Sequence, residues 1–117
     1  MHADPASFLP LTEPTFYILL SLAPGKKHGY AILKDVKALS KGGINLSTST
    51  LYSALARLLE RGLIERIDDD PGQGPHPGLP RKAYTLSEIG RRILEAEIDR
   101  MQTLAATARL RLSEEGA

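Results

Sequence analysis

Hydrophobic positions divide this chain into three short helical stripes, a brief alternating stretch and one long terminal seam. Phe16, Ile18, Leu19, Leu20 and Leu22 form the first run, with Thr12 before it as an N-cap and Glu13 and Pro14 in its first turn. Pro24-Gly25 ends it. Tyr30, Ile32, Leu33, Val36 and Leu39 recur at helical spacing and predict a second helix from about Gly29 to Ser40, stopped by Gly42-Gly43. Ser47 opens a third, whose Leu51, Leu55, Leu58 and Leu59 make an inward stripe up to the terminator Gly62. The period then changes. Leu63 to Ile67 and Lys82 to Leu86 read as two strands, the second with Tyr84 and Leu86 on one face.

Pro71 to Pro80 holds four Pro and three Gly, which fits neither helix nor central strand. A long exposed loop over about 68–81 therefore joins the strands. The last element runs from Ser87 to about Leu112. Its seam Leu94, Ile98, Met101, Ala105, Ala108, Leu112 is a heptad pattern suited to a partner helix. The first ten residues, with Pro5 and Pro10, read as a flexible arm. The predicted fold is mainly α with a small β-hairpin. It is a winged helix-turn-helix over 11–86, followed by a C-terminal dimerisation helix and tail over 87–117.

Composition supports helices and removes several functions. The chain has 117 residues, enough for one domain. Val36 is its only valine, whereas Leu and Ala abound. There is no cysteine, and His2, His28 and His76 are far apart, so disulfide scaffolds, zinc sites and thiol chemistry are not expected. Neither a phosphate-binding glycine motif nor a Ser/His/Asp set in a recognisable context is present, so no enzyme, metal or cofactor is expected. The apolar run from Phe16 to Leu22 is too short to span a bilayer, and no basic region precedes it as in a signal peptide. The expected location is the cytoplasm.

Net charge is only +1, yet it is unevenly spread. Seven Lys/Arg lie between Lys26 and Arg61 against Asp35 and Glu60. Four lie between Arg81 and Arg92 against Glu88. Local sign matters more than the sum for steering a polyanion. The third helix presents a polar face opposite its leucines and is slim enough for a major groove about 12 Å wide. Arg81 and Lys82 stand where a wing would follow the DNA backbone or minor groove.

Three blocks carry a family resemblance: HGYAILKDV at His28–Val36, STLYSALARLLERGLIER at Ser49–Arg66 and YTLSEIGRRIL at Tyr84–Leu94. Together they resemble PadR-type transcriptional regulators over about Leu11 to Met101, and the short chain resembles that family's short subclass. The resemblance implies a homodimer on a palindromic double-stranded operator, usually a repressor released by a small molecule. Two departures stand out. Thr48-Ser49 replaces a Pro-Gly frequent in the family after the cap serine, and the Pro/Gly-rich wing tip has no Lys or Arg between Arg66 and Arg81.

The DNA-binding candidates are Ser47, Thr48, Ser49, Thr50, Tyr52, Ser53, Arg57, Arg81 and Lys82. Ser47 reads first as a cap. Tyr52 has two open readings, packing on the second helix or DNA contact. Arg57 either pairs with Glu60 or reaches DNA, where reading a guanine is worth about 1–3 kcal/mol. His28 and Tyr30 read as packing residues by default, and Arg91 and Arg92 as plain helix surface. Phe16, Met101 and Leu104 are candidates for a small apolar effector pocket between the first and last helices, against plain dimer core. The competing function is a winged-helix protein–protein interaction module without specific DNA binding, which near-neutral net charge favours.

Overall fold

A computed structural model describes residues 4–68 and 82–114. The wing loop over 69–81, including Arg81, lies outside the described residues. Helix α1 (Glu13–Ser21) starts where Thr12 accepts the Thr15 N–H at 3.3 Å. Strand β1 (Lys27–His28) leads into α2 (Gly29–Leu39), and Ser47 caps α3 (Thr48–Glu60). Strands β2 (Ile64–Asp68) and β3 (Lys82–Leu86) precede α4 (Glu88–Ser113). Ile18, Leu19 and Leu22 of the first helical segment meet Ile32 and Val36 of α2, and Leu51, Leu55 and Leu58 of α3. Leu63, Ile64, Tyr84, Ile93 and Leu94 close the same core. Leu59 is only partly buried; Ala54 takes its place on the inward face of α3.

Sheet order is β1-β3-β2, fully antiparallel, so the expected two-stranded hairpin gains a third strand. Lys27 faces Tyr84 and His28 faces Ala83. Two residues are too few to show alternation, which is why β1 leaves no trace in the pattern. The β2–β3 register runs from Ile64 opposite Leu86 to Asp68 opposite Lys82.

Two left-handed turns set the corners. Gly62 takes φ 80°, its N–H donates to Leu59 O at 3.1 Å, and Leu63 N–H donates to Leu58 O at 3.0 Å. This Schellman closure ends α3 as its glycine predicts. At the end of α2 the corresponding position is Lys41, with φ 53°, ahead of Gly42 with φ 82°. The Gly42 N–H donates to Lys37 O at 2.8 Å. The glycine pair thus follows the first left-handed residue.

The start of α4 is wedged against the α3–β2 corner. Ser87 Oγ donates to Gly62 O at 2.6 Å and accepts the Gly90 N–H at 2.9 Å. Gly90 has no side chain because a Cβ there would sit 2.0 Å from Leu63 O. From this wedge α4 runs out of the domain. Leu94 is buried and Ile98 half-buried in the chain's own core, whereas every described residue from Met101 onward is exposed. The radius of gyration, 17.2 Å, exceeds the roughly 13 Å of a compact 100-residue chain.

The N-terminal segment is not loose over its described residues. Pro5–Phe8 forms a 3₁₀ turn capped by Asp4, and Phe8, Leu9 and Leu11 pack against the core. Leu11 N–H donates to Glu97 Oε2 at 2.8 Å. Phe8, Leu9 and Leu11 are each half-buried there, which favours docking of the segment. Glu97 is 2% exposed and also accepts from Arg100 Nε. The Arg100 hydrogen bond holds its carboxyl below its ordinary 4.5, with the Leu11 amide assisting against desolvation.

A depressed carboxylate pKa contributes stability above its unfolded value and loses it as pH falls through the folded one. Glu97→Gln should therefore cost about 1 kcal/mol at pH 7, the Arg100 side being partly screened by water. Urea denaturation at pH 7 and pH 3 should show the gap between the two proteins shrinking on acidification.

Candidate nucleic-acid interface

The inward stripe of α3 leaves Ser49, Ser53, Ala56 and Glu60 pointing most directly outward, all exposed. Thr48 and Tyr52 occupy one flank, and Thr50, Arg57 and Arg61 the other. The outward surface is thus small and hydroxylated in its N-terminal half and acidic at Glu60. Its first turn also carries backbone N–H groups without intrahelical acceptors, which favour an anion.

Ser47 is committed to the helix. Its Oγ accepts the Thr50 N–H at 3.1 Å and bonds Thr50 Oγ1 at 2.8 Å, with Ser49 Oγ at 3.3 Å. Thr50 is thereby drawn into the cap, whereas Thr48, Ser49 and Ser53 remain on the surface. Tyr52 meets the packing reading and keeps an exposed edge. Its hydroxyl lies over Gly29, where a Cβ would be 2.2 Å away, yet the residue is 43% exposed. Burial first, then the neighbouring Tyr52 phenol, push the Tyr84 hydroxyl above its ordinary 10.0.

Tyr30 departs from the packing expectation. It is 70% exposed, borders a shallow hollow with Thr48 and Tyr52, and lies under Lys34 Nζ at 5.5 Å from its ring centroid. Gly29 is the residue that packs at this point, which turns Tyr30 outward beside the start of α3. Its place in the HGY block was the available signal. His28 is half-buried, and its Nδ1 lies 3.1 Å from Lys82 O, tying the start of α2 to the wing base.

The basic residues separate into two groups. Lys27 pairs with Asp35 at 3.8 Å, Arg66 with Asp68 at 3.5 Å and Arg92 with Glu88 at 2.8 Å. Arg91 donates to Ala23 O at 3.0 Å, closing the end of the first helical segment. Arg91 thus does more than cover surface, whereas the Arg92–Glu88 pair is exposed helix surface as expected. Among the described residues, Arg57 and Arg61 form no ion pair, so the Arg57–Glu60 pairing, one of the two readings of Arg57, is absent there; Arg61 lies over the Phe8 ring. Lys82 is exposed at the wing base, opposite Asp68.

The three effector-pocket candidates differ in exposure. Phe16 is half-buried and packs edge-on against Tyr17 at 5.6 Å, whereas Met101 is 37% and Leu104 55% exposed. Among the described residues, no cluster of three His, Cys, Asp or Glu could hold a metal, and no helix is long and apolar enough to cross a membrane.

Three helices, a β-wing and a trailing helix, with the polar face of α3 exposed beside the wing, define a winged helix-turn-helix protein. The model of the transcriptional regulator PadR-like family matches residues 18–96, and the chain belongs to that family. Its fold is similar to that of a PadR family transcription regulator from hypervirulent Clostridium difficile R20291. The two are 24% identical with a TM-score of 0.70, over 86% of this chain and 99% of that one. Bacillus subtilis PadR in complex with operator DNA is 27% identical with a TM-score of 0.64, over 76% of this chain and 47% of that one. In sequence the chain is also similar to an uncharacterized 37.1 kDa protein in transposon TN4556 of Streptomyces fradiae. They are 34% identical over 88 residues, 75% of this chain, which spans only 23% of that protein's length.

Because Ser47 serves the helix, Ser47→Ala should cost about 1 kcal/mol of stability, and Ser47→Asp much less. Urea denaturation monitored by circular dichroism checks both.

Proposed function

We propose that this chain is a homodimeric, sequence-specific DNA-binding transcriptional regulator, a cytoplasmic repressor relieved by a small-molecule effector. The observation that carries this reading is the exposed, hydroxyl-rich N-terminal half of α3 beside the wing. A relative of the same family carries operator DNA in its crystal structure. Thr48, Ser49, Tyr52 and Ser53 would meet base edges and nearby phosphates, and Lys82 the backbone, with Arg81 beside it. Arg57 sits on the flank of α3, so a phosphate suits it better than a guanine. Tyr30 and Lys34 extend the contact surface beyond the residues singled out in the sequence.

Dimerisation falls to the outer part of α4. Met101, Ala105, Ala108 and Leu112 keep their heptad spacing on exposed helix, and Leu104 flanks them. Leu94 and Ile98 belong instead to the chain's own core, because the first turns of α4 are needed to close it. A palindromic operator then follows from two-fold symmetry, with recognition helices about 34 Å apart. An effector contacting Met101 and Leu104 would need a second copy to enclose it.

Fluorescence anisotropy with duplex DNA from upstream of its own gene, against a scrambled duplex at two salt concentrations, tests the reading. Tighter, salt-dependent binding to the upstream DNA is expected. No binding to either duplex at low salt would favour a protein-interaction module instead. Lys82→Ala should weaken both duplexes alike and reduce the log–log salt slope by about 0.9, one phosphate's worth.

Sedimentation equilibrium should find a dimer for the native chain. Ala105→Glu should raise the dimer dissociation constant at least tenfold, whereas Leu110→Glu, on the opposite side of α4, should leave it unchanged.

A further inference from the structure

The starts of α2 and α3 converge on a hollow of about 70 Å³, lined by Gly29, Tyr30 and Leu33 from α2 and by Thr48, Leu51 and Tyr52 from α3. The bare backbone at Gly29 lets the Tyr52 phenol settle against α2 and form one wall. Leu51 is buried and Leu33 half-buried, so they bring aliphatic carbon, and Tyr30 adds an exposed ring. A whole ring does not fit, since a cavity that holds benzene measures about 150 Å³. A single methyl group does. A phosphate oxygen is a poor occupant, because carbon walls would strip its water and return little. The hollow opens on the Thr48–Tyr52 flank, beside the N-terminal half of α3, where a recognition helix meets base edges. Lys34 Nζ, 5.5 Å from the Tyr30 ring centroid, sets a cation beside the same ring, suited to a neighbouring phosphate. The apolar group that projects into the major groove of duplex DNA is the methyl on pyrimidine C5.

We propose that this hollow is a subsite for the 5-methyl group of a pyrimidine, carried by thymine or by a cytosine methylated at the same carbon. The inference rests on the proposed DNA binding and adds the chemical group that one flank of α3 distinguishes. Tyr30, Leu33 and Tyr52 enclose the methyl, and a pyrimidine without it leaves their carbon surface unfilled. Burying one methyl is worth about fourfold in affinity.

Anisotropy titrations of the full-length chain compare the upstream duplex with two versions of the same sequence. One carries deoxyuridine at every thymidine, the other 5-methyldeoxycytidine at every cytidine. If thymine is the source, deoxyuridine should weaken binding about fourfold or more, and the second version should bind as unmodified DNA does. If methylated cytosine is the source, the second version should bind tighter by the same factor. In either case Tyr30→Ala should erase the difference between duplexes with and without the methyl. Tyr30→Phe, which keeps the ring, should preserve it, with melting temperatures showing that both variants fold. Lys82→Ala should weaken every duplex by one common factor. Binding that neither modification changes would overturn the inference and leave the DNA reading standing. A methyl effect that persists in Tyr30→Ala would also overturn it, by placing the effect elsewhere on the protein or in the shape of the duplex. No binding to any duplex at low salt would remove the DNA reading itself, and the inference with it.

Discussion

Helix α4 leaves the domain in one direction because its first turn has no room for another. Gly90 lies against the Leu63 carbonyl, closer than any side chain would allow, and Ser87 bonds both Gly62 O and the Gly90 N–H. The same few residues end α3, begin β2 and begin α4. Their geometry therefore fixes three directions together: the axis of the helix that would meet DNA, the base of the wing, and the line along which a second copy would pack. A close-packed corner of this kind transmits displacement rather than absorbing it. A shift in α4 would be felt at the end of α3.

A second brace joins the same two helices from the other side. The N-terminal segment is held at Leu11 by buried Glu97 and lies with Phe8 under Arg61. A hollow between α3 and this segment, lined by Phe8, Leu11 and Leu58, exists only because the segment is docked, and the same apolar side chains stabilise the fold.

Charge is divided by task. Arg91 serves an exposed carbonyl at Ala23, and Lys27, Arg66 and Arg92 are paired with nearby acids. Pairing leaves the local positive excess unchanged, since each acid is already counted against it, but it decides which cations are engaged within the chain. Arg57 on the flank of α3 and Lys82 at the wing base form no ion pair among the described residues, as is true also of Lys37, Lys41 and Arg109. A net charge of +1 is compatible with a polyanion partner because the positive charge is concentrated in the stretches 26–61 and 81–92.

The sequence by itself determined the element order and most boundaries, because these depend on local chemistry. Thr12, Ser47 and Ser87 cap where a side-chain oxygen can reach an unpaired amide, and Gly62 ends α3 through a backbone conformation glycine adopts without strain. The family-bearing blocks and the polar face of α3 were legible for the same reason: periodicity places residues on a face before any packing is known. Tertiary structure decided what periodicity does not contain. It docked the N-terminal segment, added β1, and turned Tyr30 out and Gly29 in. It also divided the α4 seam, taking Leu94 and Ile98 for the chain's own core and exposing Met101, Ala105, Ala108 and Leu112. Each of these outcomes depends on contacts between residues distant in sequence, where burial of apolar area outweighs local preference.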